Sequence, residues 1–176
     1  MDATPQSRTT CTATAPTETP APDSSTASRE RCPFAERFGR PLPREFAPHA
    51  AGLGWRELVG GFAPSGGPLH LADLVQRPLG RGRHHFEAIL HGPDGSTRRL
   101  TAQGYGAHRA FSEMLAQLGL HVEVERYHQY ESDGTWCTIL RVGDGRRSTW
   151  AMGFGPDSTR SGVNALLGAA TRLHLR

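Results

Sequence analysis

Two short triplets, Gly104-Tyr105-Gly106 and Gly153-Phe154-Gly155, carry the plainest chemical suggestion in the chain. Glycine removes the side chain where an extended segment bends into a helix. The first N–H groups of that helix have no intrahelical partner. Together with the helix dipole they favour an anion. Two such starts facing one another suit the carboxylate of an amino acid or a keto acid. Conformational need is the competing explanation, because glycine also lets a helix pack close on a sheet. A dinucleotide fingerprint is a poor fit: Gly104-Tyr-Gly-Ala-His-Arg lacks the third glycine, and no parallel βαβ unit is evident.

His108, Tyr127 and Glu131 are the candidates for proton transfer. A histidine at a helix start beside a carboxylate can act as general acid or base. The same residues also suit a polar rim, so no catalytic residue is firm. The other histidines do not read as a metal site. His84 and His85 are followed by His91, and His85 and His91 share a strand face. Six residues of strand separate that pair by about 20 Å. His121 and His128 fall on opposite faces by their odd spacing. No metal and no cofactor is expected. Cys11, Cys32 and Cys137 are odd in number and widely spaced, which reads as three free thiols. The arginine pairs 81/83, 98/99 and 146/147 flank turns. With no aromatic platform or recognition helix beside them they read as solvated rims, and nucleic acid is not an expected partner.

The elements that must hold these residues follow from composition and periodicity. A length of 176 residues suits one domain plus a tail. All basic residues are arginine, and the net charge is +3. Residues 1–30 hold two arginines and four acids, so the remainder is near +5, mild for a domain. The 1–30 stretch is a Thr/Pro/Ala/Ser tract and is expected to be a disordered tail. Residues 31–66 are expected to be a linker with a short helix. Its Pro- and Arg-rich first part, 31–45, docks loosely. Trp55, Leu58, Val59 and Phe62 then form one helical stripe, closed by Gly60-Gly61. No run reaches the roughly 18 apolar residues of a membrane span, and Met1 to Asp23 lacks the apolar core of a signal peptide. A cytoplasmic protein with no membrane partner is expected.

Residues 67–176 read as two similar halves, about 69–119 and 120–174. Ile89-Leu90, Asp94-Gly95 and Gly104-Tyr105-Gly106 recur as Ile139-Leu140, Asp144-Gly145 and Gly153-Phe154-Gly155, at offsets of 50, 50 and 49. The first half reads as strands Leu69 to Val75, His85 to Leu90 and Arg98 to Gln103, then a helix through Phe111, Met114, Leu115 and Leu118. The second reads as strands Val122 to Tyr130, Trp136 to Val142 and Thr149 to Phe154, then a helix through Val163, Leu166, Leu167 and Ala170. The expected fold is α+β: two pseudo-symmetric βββα units packed together, after a short helix and the tail.

That pattern carries a resemblance. Gly104-Tyr-Gly-Ala-His-Arg-Ala-Phe resembles the first glycine turn of the regulatory domain of 2-isopropylmalate synthase. Trp150-Ala-Met-Gly-Phe-Gly resembles that domain's second turn. Val122 to Tyr130 resembles the strand between them, with Tyr127 in place of a family tyrosine. Phe46 to Phe62 resembles the helix that links the domain to the synthase barrel, so the likeness spans about residues 46–174. It implies a domain that binds leucine between its units at a dimer interface and inhibits the synthase. The metal-dependent barrel that performs the condensation is missing here, so the resemblance implies no catalysis of that reaction. Carried over residue by residue, the ligand-binding set is Gly104, Gly106, Ala107, His108, Val124, Tyr127, Glu131, Gly153 and Gly155.

The departures shape the ligand. Ala107 replaces a proline, His108 an apolar residue, Glu131 a small one, Ala151 a glycine and Trp136 a small residue. Such a pocket is more polar than one built for leucine. Unpaired polar groups buried against an aliphatic ligand cost about 1–3 kcal/mol each. The expected function is a stand-alone regulatory or dimerisation module, a homodimer, binding a small amino or keto acid and acting with a separate synthase-like barrel protein. The alternatives are a small enzyme using His108 and Glu131 as acid and base, and a scaffold that has lost its ligand.

Overall fold

A computed structural model describes residues 32–63 and 67–175; the expected tail, 1–30, lies outside the described residues. The chain begins with three short helices, α1 (Pro33–Phe38), α2 (Ala47–Ala50) and α3 (Trp55–Phe62). Strands β1 (His70–Gly80), β2 (Arg83–His91) and β3 (Thr97–Gly104) then lead into α4 (Ala107–Gln117). Strands β4 (Glu123–Ser132), β5 (Thr135–Gly143) and β6 (Ser148–Gly155) lead into α5 (Ser158–His174). Each triplet of strands is one antiparallel sheet in sequential order. The fold is α+β, two βββα units behind a helical N-terminal segment.

Local chemistry explains the hairpins. Arg81-Gly82 joins β1 to β2 and Asp133-Gly134 joins β4 to β5, each with positive φ at both residues. Two left-handed residues make the turn whose twist matches the flanking strands. The first of these hairpins has arginine at a position that glycine, asparagine and aspartate adopt more readily, and β1 runs five residues past the Val75 at which it is expected to end. The β5–β6 turn is held by Asp144, whose carboxylate accepts the N–H groups of Arg146 and Arg147, both at 2.9 Å.

Burial differs between the two sheets. On β2, Phe86, Ala88 and Leu90 face inward and alternate with more exposed residues, and they pack with Ala110, Phe111, Met114 and Leu115 of α4. The outward face of that sheet is polar, as expected for a layer covered on one side. On β5, burial is almost continuous. Leu140 and Val142 join α5 in the larger core, while Cys137 and Ile139 join Phe34, Phe38, Phe46, Leu58, Trp150 and Met152 in a second core. The N-terminal segment therefore covers the far face of the second sheet. Residues 31–45, expected to dock loosely, instead supply Phe34 at 0% exposure and Phe38 at 6%. Nor do Gly60-Gly61 close α3: it runs through them, and the Ala63 N–H returns to the Val59 carbonyl at 2.7 Å. Hydrophobic burial outweighs helix propensity there, since an interior glycine costs only about 1 kcal/mol.

Candidate functional site

The two glycine triplets do not occupy equivalent places. The first straddles the strand end and the helix start: Gly104 ends β3, and Gly106 is the N-cap of α4. The second lies wholly within β6, and the N-cap of α5 is Asp157, two residues beyond Gly155. The sequence offset of 49 therefore slips by two from the offset that aligns the helix starts, since Gly106 matches Asp157.

The consequences for anion binding are opposite at the two helices. Asp157 places its own carboxylate on the Arg160 N–H at 2.7 Å, so α5 carries an internal anion at its start. Gly106 offers no side-chain cap, and a Cβ there would meet nothing within 4 Å. The first intrahelical bond at this end runs from the Ala110 N–H to the Gly106 carbonyl at 3.2 Å, which leaves the amides before it without helical partners. Gly153 and Gly155 serve packing instead. A Cβ at Gly153 would collide with the α5 backbone at Ala165 and Ser161, and one at Gly155 would stand 2.7 Å from the Ser161 nitrogen. The helix lies directly on these two glycines.

His108 and Tyr127 come together. The imidazole, in the first turn of α4, meets the Tyr127 ring on β4 edge to face, with centroids 4.7 Å apart. On its other side it abuts Gly162 of α5, where any Cβ would strike Nε2. That Nε2 is buried without a hydrogen-bond partner. Burial pushes the His108 pKa down, so the neutral ring is favoured. Burial also raises the Tyr127 hydroxyl, against a smaller opposing effect of Gln129. Val124, at the other end of β4, packs against the larger core. Glu131 is held elsewhere: its carboxylate accepts the Gly134 N–H at 3.0 Å in the β4–β5 hairpin. No ion pair joins Glu131 to His108 among the described residues, whose ion pairs all involve arginine. The α4 start has amides without helical partners and carries His108 edge to face with Tyr127, and among the described residues no acid–base couple is assembled there.

A polar cluster that the sequence reading did not single out pins α5 to its sheet. The Gln129 amide donates to the Thr138 hydroxyl at 3.0 Å and to the Ser158 carbonyl at 2.7 Å. Thr138 and Ser161 share a 2.7 Å hydrogen bond and are both fully buried. Its signal was the single hydroxyl in the apolar run Cys137-Thr138-Ile139-Leu140. Such buried pairs rigidify a seam when every member is satisfied.

Several of the turn arginines are held locally. Arg99 pairs with Glu87, Arg147 with Asp144 at 3.5 Å, and Arg83 donates to Gln103 at 3.1 Å. Cys137 is buried, and burial pushes its thiol up to about 12, which makes it an inert apolar filler. Among the described residues no group of three or more His, Cys, Asp or Glu is placed to hold a metal, and no helix is long and apolar enough to cross a membrane. Neither a protein-family model nor a curated protein matches the chain.

Proposed function

We propose that the chain is a regulatory or dimerisation module, a cytoplasmic homodimer, that binds a small amino or keto acid at the start of α4. Its resemblance to the leucine-sensing domain of 2-isopropylmalate synthase suggests that it acts with a separate synthase-like catalytic chain. The observation that carries the reading is the contrast between the helix starts: α5 caps itself with Asp157, whereas α4 has an uncapped start at Gly106, beside His108 and Tyr127. A carboxylate at α4 would gain amide hydrogen bonds and a favourable dipole. The polar imidazole favours a ligand less greasy than leucine. The second reading, a scaffold without ligand, is favoured by α5 lying on Gly153 and Gly155 and by the His108 ring wedged against Gly162.

Calorimetric titration of the full chain with a panel of small amino and keto acids separates the two. Saturable binding is expected for a polar member of the panel. Gly106→Asp is the control, because the Gly106 backbone is extended and its Cβ direction is open. The new carboxylate caps α4, stabilises the chain by a few tenths of a kcal/mol, and competes with the ligand. Silence across the panel, or binding that Gly106→Asp leaves intact, removes the α4 site and leaves the scaffold.

A further inference from the structure

A cleft of about 260 Å³ lies on the far flank of α5, where β6, α5 and the beginning of β1 meet. It is independent of the α4 start. Leu69 and Leu71, with Met152 and Leu167 opposite, supply apolar walls. Two side chains on one side of α5 supply the polarity, Asn164 and, two turns on, Thr171. Asn164 donates its amide nitrogen to the Phe154 carbonyl at 2.8 Å, on the edge strand of its sheet. That bond fixes which way the amide points, since only the nitrogen can donate. Among the described residues Oδ1 is left as an acceptor without a protein partner, and so is the Thr171 hydroxyl. Gly168 keeps the floor open: a Cβ there would come no nearer than 3.9 Å to the Ala151 side chain.

The lining selects against charge. Among the described residues it holds no carboxylate, arginine or lysine, and the one titratable group there is His70, an exposed residue. A charged ligand would lose hydration there without a partner. The fixed acceptor calls for a donor, and the walls call for an apolar body. At about 260 Å³ the cleft, which opens to water on one side, has room to seat a bicyclic molecule with one edge exposed.

We propose that this cleft is a second small-molecule site, which takes a neutral, largely apolar ligand of about the size of indole with a single hydrogen-bond donor directed at Asn164. The test adds indole to the full chain and follows calorimetry and thermal melting. Indole is expected to bind saturably at one site. Benzothiophene, of the same shape without the N–H, and indole-3-acetate, which adds a charge, are each expected to bind at least tenfold more weakly. Gly168→Leu fills the floor with a better helix former, so it should raise the melting temperature and abolish binding. Asn164→Leu keeps the size and removes the acceptor; at least tenfold weaker indole binding with benzothiophene affinity unchanged is expected, and it decides the matter together with the ligand series if Gly168→Leu does not fold. The proposal is overturned by absence of saturable indole binding, by equal affinity for all three compounds, or by an affinity that neither variant changes.

Discussion

At the scale of residues, His108 and Gly162 are a matched pair. The imidazole lies where a Cβ on residue 162 would be, so each side chain constrains the other. Gly162→Ala in an ordinary helix interior gains about 1 kcal/mol. Here the same change must push the ring off its seat against Tyr127. We expect Gly162→Ala to destabilise the protein, yet to stabilise it by about 1 kcal/mol once His108→Ala has made room. The double-mutant cycle, read by urea denaturation, should give a coupling of at least ~1 kcal/mol, within the usual span for residues in contact; additive effects would show that the ring does not rest on residue 162. The same seat fixes the pH response. Burial lowers the folded pKa of His108 below its ordinary 6.5, so between those two values the unfolded chain binds more protons. Stability from this group is therefore complete above about pH 6.5 and is lost as the pH falls toward the folded value. Between pH 7 and pH 5 the urea midpoint of the native protein should fall more steeply than that of His108→Leu; parallel slopes would mean that His108 titrates as it does in the unfolded chain.

At the scale of elements, the duplicated βββα pattern was legible because alternation in strands and a four-residue rhythm in helices leave marks that survive divergence. What was not legible was the register of the glycines. Gly104-Tyr105-Gly106 and Gly153-Phe154-Gly155 look alike as strings, but one is a strand-to-helix joint and the other is the floor under a helix. A sequence shows that a glycine is present, and it does not show whether backbone, ligand or water fills the missing side chain. Asp157 was the overlooked signal: an N-capping residue after Pro156 marks the true start of α5. The difference predicts unequal costs for the same substitution. Gly153→Ala sets a methyl against the α5 backbone at Ala165 and Ser161, neither of which has a rotamer to yield. It should cost about 3 kcal/mol, toward the upper end of overpacking penalties. Gly106→Ala places a methyl in open space at an extended backbone and loses only a modest N-cap preference, about 1 kcal/mol or less. Melting temperatures of the two variants check the order, and a larger loss for Gly106→Ala would reverse the roles assigned to the triplets.

At the scale of the whole molecule, the two units differ in what covers them, and this explains why the N-terminal segment was misread. Its proline and arginine content suggested a linker, but its aromatic residues fall where an apolar sheet face needs cover. In the first unit the outward face carries Glu87, Arg99 and Thr101 and can meet water. In the second unit the corresponding surface presents Ile139, Trp150 and Met152, all buried beneath the segment. Phe46 is fully buried at the middle of this contact, edge to face with Phe62 at 4.8 Å and tilted on Trp150 at 5.2 Å. Arg172 of α5 reaches the same region, donating to the Trp150 carbonyl at 2.6 Å and to the Gly61 carbonyl, with its guanidinium over the Phe62 ring. A linker would tolerate truncation of such a ring; a structural layer would not. Phe46→Ala is therefore expected to cost about 3–5 kcal/mol, the usual range for a buried phenylalanine, out of a total that for most domains is about 5–15 kcal/mol. Because the lost contact borders a sheet face that has no other cover, the variant should also bind a hydrophobic dye well below its melting temperature. Measured by denaturant unfolding and dye fluorescence, a loss under about 1 kcal/mol with no added dye binding would return the segment to the status of a linker.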